Sequence, residues 1–561
     1  MKQVKPTGRF SIIIVCLLVF YTILIGRLFY WQVVRAEELK EIRDNQSTES
    51  LTLQPERGTI LFQDMFPMAT NNINYLTYAN PKLIPDILEY SDKLADVLEY
   101  DAASISARLN LDLYWVRLGV FDHKKKEKIE RLHLDGIGFQ VETSRYYPEA
   151  SMAAHLVGFV GRDSDGNDQG YLGIEGFYDR QLGGKAGKRY VVKDALGNPI
   201  VTDIREERKV DGRSLLTTID RTVQYIADKA LKQGVQRYEA QGGSVVIMEP
   251  STGKILGMSS IPNFDPQTYY EFSGDSYQNP VISKLYEPGS TFKVLVMAAA
   301  INEGLVEADT RCDICSGSIE LGGFTIKTWN DQYHPNTTMT EVIQNSDNTG
   351  MVFVGQKLGV ERMYDYMEQF GFGQTTGIDL QAEVSGSLRR QSEWLPIDLA
   401  TASFGQGISV TPIQLLTAVS SIANEGYLMK PYVVEKIFED NGSEIKIKSE
   451  QKRKVLSNSA AEVMKWIMVN AVESGDSKWV NLDPITVAGK TGTAQIPVAG
   501  HYDPTQTIAS FVGFFPAETP KISMLVLVNR PKTSIYGSET AAPIFFNIAR
   551  DLVQYYNIQP E

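Results

Sequence analysis

From Phe10 to Gly26 the chain is almost wholly apolar, and after Arg27 it resumes with Leu28, Phe29, Tyr30, Trp31 and Val33. A segment running on to Val34 is long enough to cross about 30 Å of hydrocarbon as a single helix. Lys2, Lys5 and Arg9 stand ahead of it, and the tendency of basic residues to stay on the cytoplasmic side places the short N-terminus inside. Everything after Val34 is then expected outside. A cleaved signal peptide is the competing reading. The run is long and aromatic at its outer end, and no small-x-small cleavage site follows Val34, so an uncleaved anchor is expected. Arg27 reads as a side chain snorkelling to the interface, with contact to a membrane partner as the alternative.

Beyond this span the chain reads as soluble and globular. An apolar share of 43% and a charged share of 22% exclude a disordered chain, a collagen and a polytopic membrane protein. With 68 acidic and 55 basic residues the net charge is −13, so a nucleic-acid partner is not expected. Five histidines scattered over 561 residues make a multi-histidine metal site unexpected, and neither a metal nor a cofactor is expected. Three cysteines are too few for a disulfide scaffold. Cys312 and Cys315 lie in the part expected in an oxidising compartment, where they either close a small loop or remain two free thiols. Zinc would need two further ligands, which no nearby motif supplies.

Four segments are expected: 1–9 inside the cell, the anchor 10–34, a module over 35–210 and a larger domain over 211–561. The first module is charged and mixed in pattern, with turn signals such as Asp165-Gly166-Asn167. Its run Lys124, Lys125, Lys126, Lys128 sits among Glu127, Glu130 and Arg131, and reads as a solvated helix face rather than a polyanion site. In the larger domain, Gly243 to Met248 and Lys254 to Ser259 read as a hairpin, and helical periodicity follows Ser290. Strand-like runs return at Ile485 to Val487 and Ile522 to Val528, and an amphipathic helix from about Ala542 to Tyr556 closes the chain. The pattern implies an α+β domain.

Ser-x-x-Lys occurs four times, from Ser251, Ser290, Ser443 and Ser449. Ser251 falls in the hairpin turn, and Ser443 and Ser449 lie in a polar surface stretch. Only Ser290 follows a turn signal, Pro288-Gly289, and opens an apolar helix. Serine and lysine three apart on a helix share a face, so Lys293 can reach the Ser290 hydroxyl. The helix start adds backbone N–H donors beside it, although an N-cap is the plainer role for such a serine. Two more triplets follow: Ser346-Asp347-Asn348 after the helix-like Thr340 to Gln344, and Lys490-Thr491-Gly492 at the end of the strand-like Ile485 to Val487. Lys-Thr-Gly is expected in about one in ten chains of this size, so its co-occurrence in this order with the other two triplets argues for one site. Gly489 and Gly492 would let a substrate backbone approach and add to the strand.

Ser-x-x-Lys, Ser-Asp-Asn and Lys-Thr-Gly are together the signature of penicillin-binding proteins and class A β-lactamases. Glu287 to Lys293, Phe404-Gly405-Gln406-Gly407, Lys490 to Ala494 and Ala509 to Phe514 resemble the transpeptidase domain of class B penicillin-binding proteins. Arg57-Gly58, Arg145-Tyr146-Tyr147-Pro148, Gly173 to Asp179 and Thr217 to Asp220 resemble its pedestal domain. After Ile60 the sequence Leu61-Phe62-Gln63-Asp64-Met65 replaces the family's usual Asp-Arg-Asn-Gly.

The resemblance implies an antiparallel sheet flanked by helices, on an elongated α+β pedestal of the dimerisation type. It implies a bacterial membrane enzyme, single-pass and with its catalytic domain extracytoplasmic, that crosslinks peptidoglycan stem peptides through a serine acyl-enzyme and is inhibited by β-lactams. Ser290 would be the nucleophile and Lys293 its proton acceptor, lowered in pKa by burial and by Lys490. Ser346 would relay the leaving-group proton, and Asn348 would orient the substrate amide and Lys293. The N–H groups of Ser290 and Thr493 would form the oxyanion hole, and Thr491, Gly492 and Thr493 would line the substrate site, the two threonines holding its carboxylate. A membrane glycan polymerase of the shape, elongation, division and sporulation family is the implied partner. Ile508 to Pro516, Tyr536-Gly537 and Ala541-Ala542-Pro543 resemble the septal subgroup, with elongation duty as the alternative. A β-lactamase would need a deacylating glutamate, and no Glu-x-x-Leu-Asn occurs. An antibiotic sensor would need a cytoplasmic output domain, for which the nine residues before the anchor leave no room. A non-catalytic scaffold has every catalytic position filled against it.

Overall fold

The computed structural model describes residues 8–40, 48–193, 199–439, 441–498 and 501–560, so Lys2 and Lys5 lie outside the described residues. The chain forms two compact units. One comprises residues 1–56 and 184–212. In it a helix over Gly8–Phe29 runs on through a wider turn at Tyr30–Val34. The span Phe10–Val34 has a mean hydropathy of 2.6 and keeps its large apolar side chains exposed. A helix satisfies every backbone polar group internally, which is what a segment surrounded by lipid requires. The same unit contains an antiparallel sheet of Thr48–Leu53, Gly187–Lys193 and Pro199–Glu207.

The other unit comprises 57–183 and 213–561. Its main sheet is built from β1 (Gly242–Met248), β2 (Ile255–Ile261), β3 (Ala488–Val498), β4 (His501–Phe515) and β5 (Ile522–Asn529). The order is β2-β1-β5-β4-β3, antiparallel throughout, with β3 at an edge. The helices that matter here are α1 (Arg221–Arg237), α2 (Lys293–Asn302), α3 (Met339–Gln344), α4 (Asn348–Gln369), α5 (Pro412–Ala423), α6 (Asn458–Ser474) and α7 (Ala541–Tyr555). Strand side chains alternate between faces, and the cores follow that period. Val245, Ile247, Phe511, Met524 and Val526 pack with Leu231 of α1 and Phe545 of α7. Their neighbours Val246, Met248, Val512, Phe514 and Leu525 join Val294 of α2 and Leu416 of α5. Covering both faces is why these strands read as continuous apolar runs.

The hairpin, the strand at Ile522 and the closing helix agree with the sequence reading. The strand placed at Ile485 to Val487 does not. Ile485 ends a turn, its N–H donating to the Leu482 carbonyl, and β3 begins at Ala488. Lys490-Thr491-Gly492 therefore lies inside the edge strand rather than after it. Ile485 and Val487 look strand-like because they are buried, but packing rather than ladder pairing buries them.

A second sheet of seven strands joins the pedestal residues to the larger domain. Ile60–Leu61 pairs in parallel with Ser214–Thr217, which pairs with Val434–Phe438, and on its other side with Pro67–Ala79. Helix Ile87–Leu98 packs on this sheet through Leu94 and Leu98. Phe62 is fully buried, and Met65 takes a left-handed φ of 66° where the usual Asn-Gly is missing. Helix His123–Glu130 buries only Ile129, and Lys126 pairs with Glu130, so the lysine run is a solvated face. Three of the four pedestal motifs converge on one buried ion cluster. Glu175, fully buried, accepts from Arg57 Nε at 2.7 Å and Arg145 Nε at 2.6 Å, and Asp179 takes Arg57 Nη2 at 2.8 Å. Tyr178 then donates to Asp379, whose carboxylate also accepts from the N–H groups of Val433 and Val434.

Cys312 and Cys315 are joined in a disulfide. Both sulfurs are buried in a loop that leads, through the hairpin Ile319–Leu321 and Phe324–Ile326, to the wall of the cleft described below. Neither should react with an alkylating reagent until the protein is reduced. Peptide mass analysis of unreduced protein checks this, and modification of both cysteines would contradict the pairing.

Candidate active site

Ser290 sits in a tight turn, Gly289–Phe292, that runs directly into α2, so it lies within the helical start rather than capping it. The turn is pinned from two sides. Gly289 N–H donates to the Gly405 carbonyl at 3.0 Å, and the Thr291 hydroxyl donates to the Pro288 carbonyl at 2.7 Å. Gly405 has φ +80°, and a Cβ there would stand 2.1 Å from the Gly289 carbonyl oxygen, so only glycine fits. This accounts for the Phe404-Gly405-Gln406-Gly407 pattern.

Ser346 occupies a left-handed turn (φ 53°) between α3 and α4. Asp347 is the N-cap of α4: one carboxylate oxygen accepts from the N–H groups of Thr349 and Gly350 and from the Thr349 hydroxyl. The middle residue of Ser-Asp-Asn thus builds the turn, and its neighbours are left to face Lys293. Lys293 is fully buried. Its Nζ donates to the Ser346 carbonyl at 2.7 Å and Asn348 Oδ1 at 2.7 Å, with Ser346 Oγ at 3.3 Å. Asn348 is oriented in turn by its Nδ2, which donates to the Lys327 carbonyl at 2.9 Å. The two close bonds draw Nζ to the Ser346 turn, and among the described residues no hydrogen bond joins it to Ser290 Oγ.

Burial, reinforced by the nearby Lys490 charge, holds Lys293 well below the ordinary lysine range against the opposing carboxylates of Asp347 and Asp476. Burial also lowers Lys490 to about 8, and Asp476 resists that shift. Lys490 Nζ donates to Thr491 Oγ1 at 3.2 Å, and Gly537 N–H donates to Thr493 Oγ1 at 3.1 Å. Each threonine hydroxyl accepts one bond from protein and keeps its own hydrogen to donate. Thr491 and Thr493, two apart on β3, share a face. Gly492 also has a packing duty that the sequence did not reveal. A Cβ there would lie 2.4 Å from Ser510 Oγ and 2.8 Å from Thr291 Cγ2, so the missing side chain seats the serine turn against β3.

One cleft of about 670 Å³ is lined by Ser290, Ser346, Asn348, Thr491, Gly492 and Thr493, with Lys293 and Lys490 buried beside it. Every residue assigned from sequence is brought to this place. The other three Ser-x-x-Lys serines are exposed, and Lys254 and Lys452 pair with Glu435 and Glu450. Sequence reasoning missed four contributors to the wall. Asp476 follows α6 in a stretch without a motif. Thr328 is buried, and its hydroxyl lacks a hydrogen-bond partner. Trp329 and Tyr536 meet edge to face across the cleft at 5.6 Å between ring centroids.

The penicillin binding protein transpeptidase domain matches residues 243–550, and the penicillin-binding protein dimerisation domain matches residues 52–217. The chain belongs to the class B penicillin-binding proteins. Stage V sporulation protein D of Bacillus subtilis is 33% identical over all of this chain and 88% of that protein. Peptidoglycan D,D-transpeptidase FtsI of Escherichia coli is 28% identical over 99% of this chain and 92% of that protein. A solved peptidoglycan synthetase from Bifidobacterium adolescentis superposes with a TM-score of 0.74 at 27% identity, covering 92% of this chain and 98% of that one. In this penicillin-binding protein the cleft holding Ser290 falls within the matched transpeptidase domain.

Proposed function

We propose that the chain is a peptidoglycan D,D-transpeptidase that works through an acyl-enzyme on Ser290. What supports the reading most is Lys293: a buried amine, held by Ser346 and Asn348 beside a cleft-lining serine, is an organised proton acceptor. Ser290 Oγ attacks the carbonyl of the penultimate D-alanine while its proton passes to Lys293. The oxyanion is met by the N–H groups of Ser290 and Thr493, each such donor being worth about 10²- to 10³-fold in rate. Ser346 carries the proton to the departing D-alanine amine, and the C–N bond breaks to leave the ester. Thr491, Thr493 and the Lys490 charge hold the substrate carboxylate. An amine of a neighbouring stem then attacks the ester, gives its proton to Lys293 and frees Ser290. The test supplies a stem pentapeptide ending in D-alanyl-D-alanine together with a D-amino acid. Release of D-alanine with formation of the exchanged peptide is expected, and absence of both would refute the reading.

Acylation needs Lys293 neutral, so its rate rises with pH through the lowered pKa of that amine. It also needs Lys490 charged, so it falls as pH passes about 8. A bell-shaped profile of the penicillin acylation rate is expected, and Lys490→Gln should lose the alkaline fall. A rate that climbs steadily into the alkaline range in wild type would contradict the assignment.

The penicillin-binding protein is membrane-anchored. We assign residues 1–9 to the cytoplasm, 10–34 to the membrane, 35–210 to the pedestal and 211–561 to the extracytoplasmic transpeptidase domain. Protease added to intact protoplasts should remove the globular part, and survival of the full chain would contradict this orientation. The partner is a membrane glycan polymerase, and co-purification in detergent tests it. Division is the duty favoured by the likeness to FtsI. The 33% identity to a sporulation protein favours a second reading, duty in spore formation. Depletion separates them: filamentation supports division, and spore failure with normal growth supports the second.

A further inference from the structure

We infer that Arg530 and Lys532 form a carboxylate-binding subsite next to the cleft, for an anionic group of the donor stem peptide upstream of the D-alanine that is transferred. The inference rests on the transpeptidase reading. A second hollow, of about 470 Å³, lies beside the cleft and is lined by Gln241, Arg530, Lys532 and Ile535. Ile535 lines both hollows; Thr507 lines the cleft, and its neighbour Gln506 lines the second hollow. The Thr507 carbonyl accepts from Arg530 N–H at 2.8 Å, and the Thr507 hydroxyl donates to the Ile535 carbonyl at 2.8 Å.

The hollow carries positive charge. Among the described residues, neither Arg530 nor Lys532 has a carboxylate partner, in a chain whose net charge is −13. Arg530 Nη1 donates to Gln241 Oε1 at 2.9 Å, while its Nε is buried without any acceptor. A buried guanidinium N–H is seldom left unpaired in a folded protein, and the guanidinium group that carries this one belongs to a residue lining the hollow. A guanidinium and an ammonium together select an anion, and a planar carboxylate matches the guanidinium fork.

The position identifies which anion. A peptide that adds to the free edge of β3 runs antiparallel to it, as every other neighbour in this sheet does. With its terminal carboxylate at Thr491 and Thr493, its earlier residues run toward Gln495. Gln495 pairs with Thr507, whose carbonyl accepts from the N–H of Arg530 in the hollow. The hollow therefore lies upstream of the acylated D-alanine, on the donor side.

The test uses pairs of D-alanyl thioester donors that differ only in a free carboxylate or its primary amide. One pair carries the group on the residue before D-alanine, and the other carries it one residue further upstream, which separates the two sources. For one placement, wild-type kcat/KM should favour the carboxylate about tenfold, the size of one charge-assisted hydrogen bond. Because the readout is a ratio, a general loss of fold or activity scales both members equally. In Arg530→Gln and in Lys532→Gln the ratio should fall toward one. A ratio near one for both placements in wild type, or a wild-type ratio in either variant, would overturn the inference. If Arg530→Gln does not fold, Lys532→Gln, altered at an exposed side chain, decides it. If neither penicillin nor any donor acylates the wild-type protein, it is the transpeptidase reading that has failed.

Discussion

Replacing Lys293 with methionine should lower the rate of penicillin acylation about 10⁴-fold while the protein stays folded. The size follows from the role: general-base assistance contributes about 10²- to 10⁴-fold, and activation of the nucleophile adds to it. Methionine keeps most of the volume of a side chain that is 0% exposed, so no large cavity opens. The carbonyl of Ser346 and Asn348 Oδ1 lose a donor, but burial of an amine is relieved at the same time, and the two effects oppose each other. The thermal midpoint should move by a few degrees only. Stopped-flow acylation and a melting curve on one preparation check both halves. A variant that acylates within tenfold of wild type would show that some other group takes the serine proton.

The second large effect is on stability and lies far from the cleft. Glu175→Ala should destabilise the protein by about 3–5 kcal/mol, because it leaves two guanidinium groups buried beside each other with no shared counter-charge. Arg57 and Arg145 side chains are 8% and 5% exposed, so water screens them poorly. Asp179, at 33% exposure, pairs with Arg57 nearer the surface, and Asp179→Ala should cost about 1 kcal/mol. Chemical denaturation of the full chain in detergent, followed by fluorescence, checks the pair. Equal and small losses for both variants would mean that the cluster does not carry the pedestal.

The contrast between these two sites shows what was legible in the sequence. The catalytic triplets were readable because acyl transfer needs particular side chains at short local spacings, and local spacing survives in one dimension. Lys293 follows Ser290 by one helical turn, and Asn348 follows Ser346 across one helix start. The strand pattern of the main sheet was readable where burial and pairing coincide, as at Ile522, and misleading at Ile485, where they do not. The pedestal motifs were visible as words, but nothing local says that Arg57 and Glu175, 118 positions apart, share one ion cluster. Asp476, the pair Thr328-Trp329 and Tyr536 come from three separate loops, and of these only Tyr536 lay in a motif, where it was a mark of subgroup rather than of the cleft. Their convergence depends on how α6, the hairpin before α3 and the segment before α7 are packed. The packing duty of Gly492 was hidden for a related reason: a glycine in a strand signals a close approach, and only the fold says that Thr291 and Ser510 come this near.

The central claim is that Ser290, organised by Lys293 and the two downstream triplets, forms a lasting acyl-enzyme. Peptide mapping of the penicillin-treated wild-type protein tests it most directly, with Ser290→Ala run beside it. The account predicts one penicilloyl adduct, on the peptide containing Ser290, that persists for many minutes and is absent from the variant. An adduct at Ser251, Ser443 or Ser449, undiminished labelling of Ser290→Ala, or rapid release of hydrolysed penicillin would contradict it.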